Sequence, residues 1–195
     1  GVTVVDSVGE FDDLLALFTR LHGRPAAGPR LGGVTNAGFE CVAIADNLGP
    51  FQLASFGSPA MGRLRDAFAA RGIDSVVDVH NPLDLTPLAD DAAYETIVRA
   101  VLDDDSVDIG VVGVVPLTVE LETLAAAPDH DEDVGAPDAV AARLARLWAE
   151  STKPWVTVVD AGTLYDPLAR RLEDGGLPVF RTVDTAMRAL GRWYE

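Results

Sequence analysis

The stretch LGGVTNAGFECVAIADNLG, residues Leu31–Gly49, decides how the rest of the chain is read. Leu31–Val34 is a short apolar strand, Thr35-Asn36-Ala37-Gly38 is a small polar turn, and Phe39–Leu48 continues as a helix-compatible run. In an open α/β sheet, ligands bind at such junctions, outside the carboxyl end of a strand and at the start of a helix. The first N–H groups of a helix have no internal acceptor, and the macrodipole adds partial positive charge beside them. The turn is therefore an anion site in the making, most naturally for a phosphoryl group. The same pattern also serves as a plain strand-to-helix connection whose glycine relieves crowding. It is not GxGxxG, so the dinucleotide fingerprint is absent.

Outward from this stretch, strand-like and helix-like patterns alternate. On the amino-terminal side, Gly1–Val5 is β-prone, and Ser7 with Glu10 makes a capping box. Phe11, Leu14, Leu15, Phe18 and Leu21 follow at helical spacing. Gly23–Arg30 (GRPAAGPR) cannot continue a helix. Residues 1–30 thus read as a lead-in strand and helix with a linker, and 31–195 as the main domain. On the carboxyl-terminal side, Phe51–Phe56 reads as a strand. Ser58-Pro59 caps and starts a helix that turns Met61, Leu64 and Phe68 inward and stops at Gly72. Ile73–Val79 is a β-branched run ending in the turn His80–Asp84, and Asp90–Leu102 is a helix with Tyr94, Ile97, Val98 and Val101 on one face. Val107–Val115 is apolar throughout, as a strand covered on both faces must be. After an acidic loop, Ala127–Ala136, come a helix (Asp138–Glu150), a strand (Trp155–Val159), a helix (Asp166–Glu173), a strand (Leu177–Phe180) and a helix capped by Thr182. This alternation predicts an α/β fold of flavodoxin-like type: a doubly wound, mostly parallel sheet with helices on both faces.

Composition narrows the function classes. The 195 residues carry 31 acidic against 15 basic side chains, a formal charge of −16, which repels nucleic-acid backbones. Lys153 is the only lysine, so P-loop and pyridoxal-lysine chemistry lack their key residue. No apolar run approaches the roughly 20 residues of a membrane span, Gly1-Val2-Thr3 opens into a strand-like run with no basic n-region, so a signal peptide is not expected in it, and the single cysteine, Cys41, fits a reducing cytoplasm. The chain starts without methionine, which suggests a piece of something longer.

Few other residues suggest chemistry. Asn81-Pro82-Leu83-Asp84 closes a candidate strand, either as an Asx-type turn or as a neighbour of Thr35–Gly38 at the same sheet edge. His22, His80 and His130 lie apart in sequence, and the run Asp129–Asp133 reads as a solvated loop rather than a metal site. Cys41 has no histidine near it in sequence and reads as a small core residue. No glycine-flanked serine elbow occurs, and Trp148, Trp155 and Trp193 are spaced as core or interface anchors.

These motifs, taken in order, resemble one family. Gly33–Gly38 followed by a helix with Ala45-Asp46 resembles the "TNAGG…aaD" element of ADP-forming acyl-CoA synthetases, the acetate–CoA ligases of the succinyl-CoA synthetase superfamily. Asn81–Leu85 looks like that family's "NPxDl" stretch, Lys153–Val156 its "kPvv" strand, and Leu177–Phe180 with Ala186-Met187 its "giPvf…A" segment. The resemblance runs nearly the whole chain and is to the second flavodoxin-like CoA-ligase domain.

The resemblance implies a multidomain enzyme that interconverts acyl-CoA, ADP and phosphate with the free acid, CoA and ATP through an acyl phosphate and a phosphohistidine. The reacting histidine belongs to a separate phosphohistidine/CoA-binding domain, and an ATP-grasp domain completes the enzyme; these are the implied partners. Carried over residue by residue, Thr35, Asn36, Ala37, Gly38 and Phe39 would cradle the phosphoryl group, with Asn81 and Asp84 in support. No catalytic residue and no metal ligand fall in this chain. The domain itself holds no cofactor; CoA, ADP/ATP and Mg belong to the full enzyme. No nucleic acid or membrane partner is implied, and a homo-oligomer is left open. The family usually continues its turn with glycine, proline and glycine, where this chain has Phe39-Glu40-Cys41. That departure, with the atypical segment Glu120–Pro137, makes a non-catalytic binding or scaffold module of the same family the alternative. A flavodoxin-type flavin carrier is more distant, because the hydroxyl-rich phosphate loop is missing.

Overall fold

The computed structural model describes residues 3–195. Among the described residues six strands form: β1 (Arg30–Thr35), β2 (Gln52–Leu53), β3 (Leu83–Asp84), β4 (Ile109–Gly113), β5 (Trp155–Val158) and β6 (Val179–Phe180). Every pairing is parallel, and the order is β2-β1-β4-β5-β6 with β3 also on β1. The helices are α1 (Val8–Arg20), α2 (Gly38–Asp46), α3 (Ser58–Arg71), α4 (Asp91–Leu102), α5 (Val140–Glu150), α6 (Asp166–Asp174) and α7 (Val183–Tyr194). On one side α2 packs on β1 and α7 on β5, with α1 laid against α7; α3, α4, α5 and α6 pack side by side on the other. This is the doubly wound, flavodoxin-like α/β architecture that the alternating pattern predicts.

The central strands are buried along their whole length, which is why Ile109–Gly113 and Trp155–Val158 carry no polar alternation. Two glycines in β1 answer to close neighbours. A Cβ at Gly32 would sit 2.9 Å from Val101 of α4, and one at Gly33 would sit 2.9 Å from Pro82. Trp155 is fully buried and packs edge-on against Trp148 of α5, with ring centroids 5.3 Å apart. Among the described residues no helix is long and apolar enough to cross a membrane.

The edge beside β1 is divided. β2 pairs with its first half (Leu31↔Leu53) and β3 with its second (Thr35↔Asp84). The Asn81 side chain splices the two: Oδ1 accepts from Gly33 N at 2.9 Å, and Nδ2 donates to Leu31 O and Ala54 O at 2.8 and 2.9 Å. The Asn81–Pro82 peptide is cis.

Several local expectations are corrected. Ile73–Val79 is not a strand. Its N–H groups fold back, Ile73 onto Phe68 O and both Val76 and Val77 onto Ile73 O, because the edge of β1 is already taken by β2, Asn81 and β3. For the same reason only Gln52–Leu53 of Phe51–Phe56 pairs. Of the β-prone run Gly1–Val5, residues 1 and 2 lie outside the described residues, and Thr3–Val5 forms no strand. The cap of α3 is Gly57, with Ser58 already helical, and the helix ends at Gly72 in a left-handed conformation at φ +74°. In α1 half of the capping box forms: Glu10 N donates to Ser7 Oγ at 3.1 Å, while the Glu10 carboxylate accepts from Asp6 N at 2.8 Å rather than from Ser7 N, and Leu14, Leu17 and Leu21 make the buried face. Phe11, Leu15 and Phe18 point outward. The apolar face of this helix is wider than the stripe that is buried against α7, so spacing alone does not choose that stripe.

Candidate phosphate-binding turn at the carboxyl edge of the sheet

From β1 the chain leaves in one direction to β2 and in the other to β4, so the crevice between the carboxyl ends of β1 and β4 is the topological switch point. Thr35–Gly38 lies there. Asn36 is buried and closes the crevice floor: Nδ2 donates to Val115 O at 2.8 Å, and Oδ1 accepts from Val115 N at 2.9 Å. This pair extends the β1–β4 ladder one step beyond the strands and leaves the Asn36 amide no free donor for a ligand beyond its second N–H.

Ala37 is extended (φ −145°, ψ 122°) and caps α2 without a side-chain hydrogen bond. Gly38 and Phe39, the first two helical residues, therefore present N–H groups with neither an intrahelical acceptor nor a side-chain cap. Phe39 projects outward, about half exposed. Ala37 N instead donates to Thr35 Oγ1 at 3.3 Å, which turns that hydroxyl away from the mouth. The chemical offer of the turn is thus two backbone donors and a helix dipole, able to hold one anionic group.

Of the two supporting residues, Asp84 adjoins the turn and Asn81 does not reach it. Asp84 pairs with Thr35 across the ladder; its Oδ1 accepts from Thr86 N at 2.8 Å, and its Oδ2 would lie 3.1 Å from a Cβ at Gly38. Asn81 is committed to the β1 backbone at Leu31 and Gly33, farther down the strand.

Glu40 is the residue sequence reasoning misjudged. Noted in the sequence only as a departure from the family's small residues, it turns inward and is fully buried. Thr35 Oγ1 donates to Glu40 Oε2, while Oε1 has no partner among the described residues. Gly113 of β4 lies so close that a Cβ there would overlap the carboxylate, and Tyr94 of α4 closes the next layer by donating to Gly113 O. Burial, aided by the nearby Asp160 charge and only partly opposed by the Thr35 hydroxyl, pushes the Glu40 carboxyl up to about 7. A helix-start Glu followed five residues after a Thr gives no sequence sign of this; the signal is Gly113, a glycine inside an otherwise Val-rich strand. Cys41 is half-buried, and burial with the Asp84 and Glu40 charges pushes its thiol up to about 12, the opposite of nucleophile activation.

The rim of this edge carries exposed apolar residues among polar ones. Phe39, Leu117, Val119 and Leu164, on the segments that follow β1, β4 and β5, are all exposed. Leu117 is held at φ +86°, an uncommon conformation for leucine.

No protein-family model and no curated protein matches the chain. Solved structures do. The chain resembles PH0766 from Pyrococcus horikoshii OT3, at TM-score 0.77 and 20% identity over 98% of this chain and 40% of that one. It also resembles the Ca. Korarchaeum cryptofilum dinucleotide forming acetyl-coenzyme A synthetase 1. In the complex of that protein with phosphate and ADP, the TM-score is 0.75 and the identity 21%, over 97% of this chain and 37% of that one. In its apo form the values are 0.73 and 20%, over 97% and 38%. The likeness establishes a shared fold, and the chain spans about two-fifths of the length of these proteins.

Proposed function

We propose that this chain is one domain of a multidomain ADP-forming acyl-CoA synthetase, and that its Thr35–Gly38 turn receives the phosphoryl group of a phosphohistidine carried by another domain. The observation that carries the reading is the uncapped start of α2 at the β1/β4 switch point, in a fold shared along its length with an acetyl-coenzyme A synthetase solved with phosphate and ADP. The order of the motifs around Thr35, Asn81, Lys153 and Leu177 supports it. Gly38 N–H and Phe39 N–H would bind the transferring group while the nucleophile arrives from outside, so the chain lends electrostatic stabilisation and position rather than a reacting side chain. The exposed rim of Phe39, Leu117, Val119 and Leu164 suits docking of the phosphohistidine/CoA-binding domain. An ATP-grasp domain would complete the enzyme, and CoA, ADP/ATP and Mg would be held there rather than here.

A non-catalytic scaffold is the second reading, favoured by the Asp84 and Glu40 carboxyls that flank a turn meant for an anion. Amide NMR during phosphate titration separates the two. The proposed function predicts saturable shifts at Gly38 and Phe39, lost in Gly38→Pro. That variant removes one donor N–H at a helix position where proline is tolerated, after a residue already extended. Absence of such shifts at every pH, in a folded chain, refutes the phosphoryl role and leaves the scaffold.

A further inference from the structure

Glu40 is the third residue of α2, in its first turn, directly after the two residues whose N–H groups face the crevice. Among the described residues no cation pairs with it. The titratable groups around it are Asp160 after β5, Asp84 on β3, Cys41 beside it on α2 and Tyr94 on α4, and none of them is cationic. One carboxyl oxygen is held by the Thr35 hydroxyl and the other is buried with no donor. An ionised carboxylate at that place and an anion at the helix start would be two like charges within the first turn of one helix, and the carboxylate itself is fully buried, out of reach of screening water.

Accepting the turn as an anion site, we propose that it fills only together with a proton: binding of a phosphoryl-type anion at Gly38–Phe39 requires Glu40 to be in its neutral, protonated form. The proton resides on the buried carboxyl, on the partnerless Oε1, and no bond to the anion is made or broken. The geometry supports this independently of any titration value, because the carboxyl is fully buried, packed against Gly113 and held by the Thr35 hydroxyl. Burial already holds Glu40 near neutrality, so the coupling falls in the physiological range. Thr35, whose hydroxyl bonds both Glu40 and Ala37 N–H, is the physical link between the carboxyl and the turn.

Sulfate is the suitable probe, since its own charge is constant from about pH 5.5 to 8.5, unlike phosphate. Calorimetry on the whole chain at fixed ionic strength, in buffers of different ionisation enthalpy, reads both affinity and protons. The expected result is affinity falling about tenfold per pH unit above about pH 7, with close to one proton taken up per sulfate at about pH 8.5 and close to none at about pH 5.5. Glu40→Gln should bind with an affinity independent of pH and no proton uptake. A wild-type chain that binds sulfate with flat affinity and no proton uptake overturns the coupling while leaving the anion turn intact, as does a Glu40→Gln chain that keeps the slope. Failure of both chains to bind at any pH removes the anion turn itself. The proton count is read on the wild-type chain, so the test stands even if the variant does not fold.

Discussion

Replacing Glu40 by glutamine should make the protein more stable, and increasingly so as the pH rises. The side chain is fully buried, its Oε1 has no donor, and burial raises the carboxyl from 4.5 to about 7. A carboxyl raised in the folded state stabilises the fold while it can stay protonated. That contribution is complete below the unfolded value and is lost as the pH climbs through the folded one. For a displacement of this size the loss between about pH 5 and 8 is about 2.5 kcal/mol, at roughly 1.4 kcal/mol per unit, flattening above about pH 7. Glutamine keeps the shape and an acceptor for Thr35 Oγ1 and never ionises, so it is exempt. Urea unfolding followed by tryptophan fluorescence is the assay, since Trp148 and Trp155 are packed together in the core. The quantity to plot is the difference in unfolding free energy between Glu40→Gln and wild type against pH. A difference that does not grow in favour of glutamine between about pH 5 and 8 would mean that the Glu40 carboxyl is solvated or paired in solution, and the burial argument would fail.

Two further outcomes follow from the same geometry. Asn81→Ala removes three hydrogen bonds that splice β2 and β3 onto β1, and at about 1 kcal/mol each it should cost about 3 kcal/mol in urea unfolding; a loss below about 1 kcal/mol would show that water replaces the amide. Cys41, with its thiol pushed up to about 12 by burial and the Asp84 and Glu40 charges, should react with iodoacetamide at about pH 8 on the order of a thousandfold more slowly than a free thiol, and reaction at the free-thiol rate would contradict its placement.

What the sequence made legible depended on pattern length. Val107–Val115 and the alternation of strands with amphipathic helices led directly to the parallel sheet, and Tyr94, Ile97, Val98 and Val101 of α4 are buried as their spacing requires. Ser7, Asp90 and Thr182 cap their helices through side-chain oxygens, as local hydrogen-bonding chemistry dictates. Ile73–Val79 failed because pairing needs a vacant edge, a tertiary fact that β-branched residues do not encode. The rotation of α1 was not legible because its apolar face is wider than the stripe that is buried. At the site, the Thr35–Gly38 turn was legible from residue type alone, whereas the inward carboxyl of Glu40 depends on a space opened by Gly113, 73 positions later in the numbering. Asn81 was read as a local turn residue or a site neighbour, and its true partners lie on β1 and next to β2.

The divided edge of the sheet has a bearing on how the domain meets its surroundings. Outer strands expose unpaired N–H and C=O groups, and a long straight one invites a foreign strand to zip onto it. Here β2 and β3 offer two residues apiece and β6, on the opposite border, offers two. A stranger's backbone finds no run long enough to register against on either border. Association with other folded units is thereby steered away from strand addition and toward side-chain surfaces, among them the rim around the Thr35–Gly38 crevice.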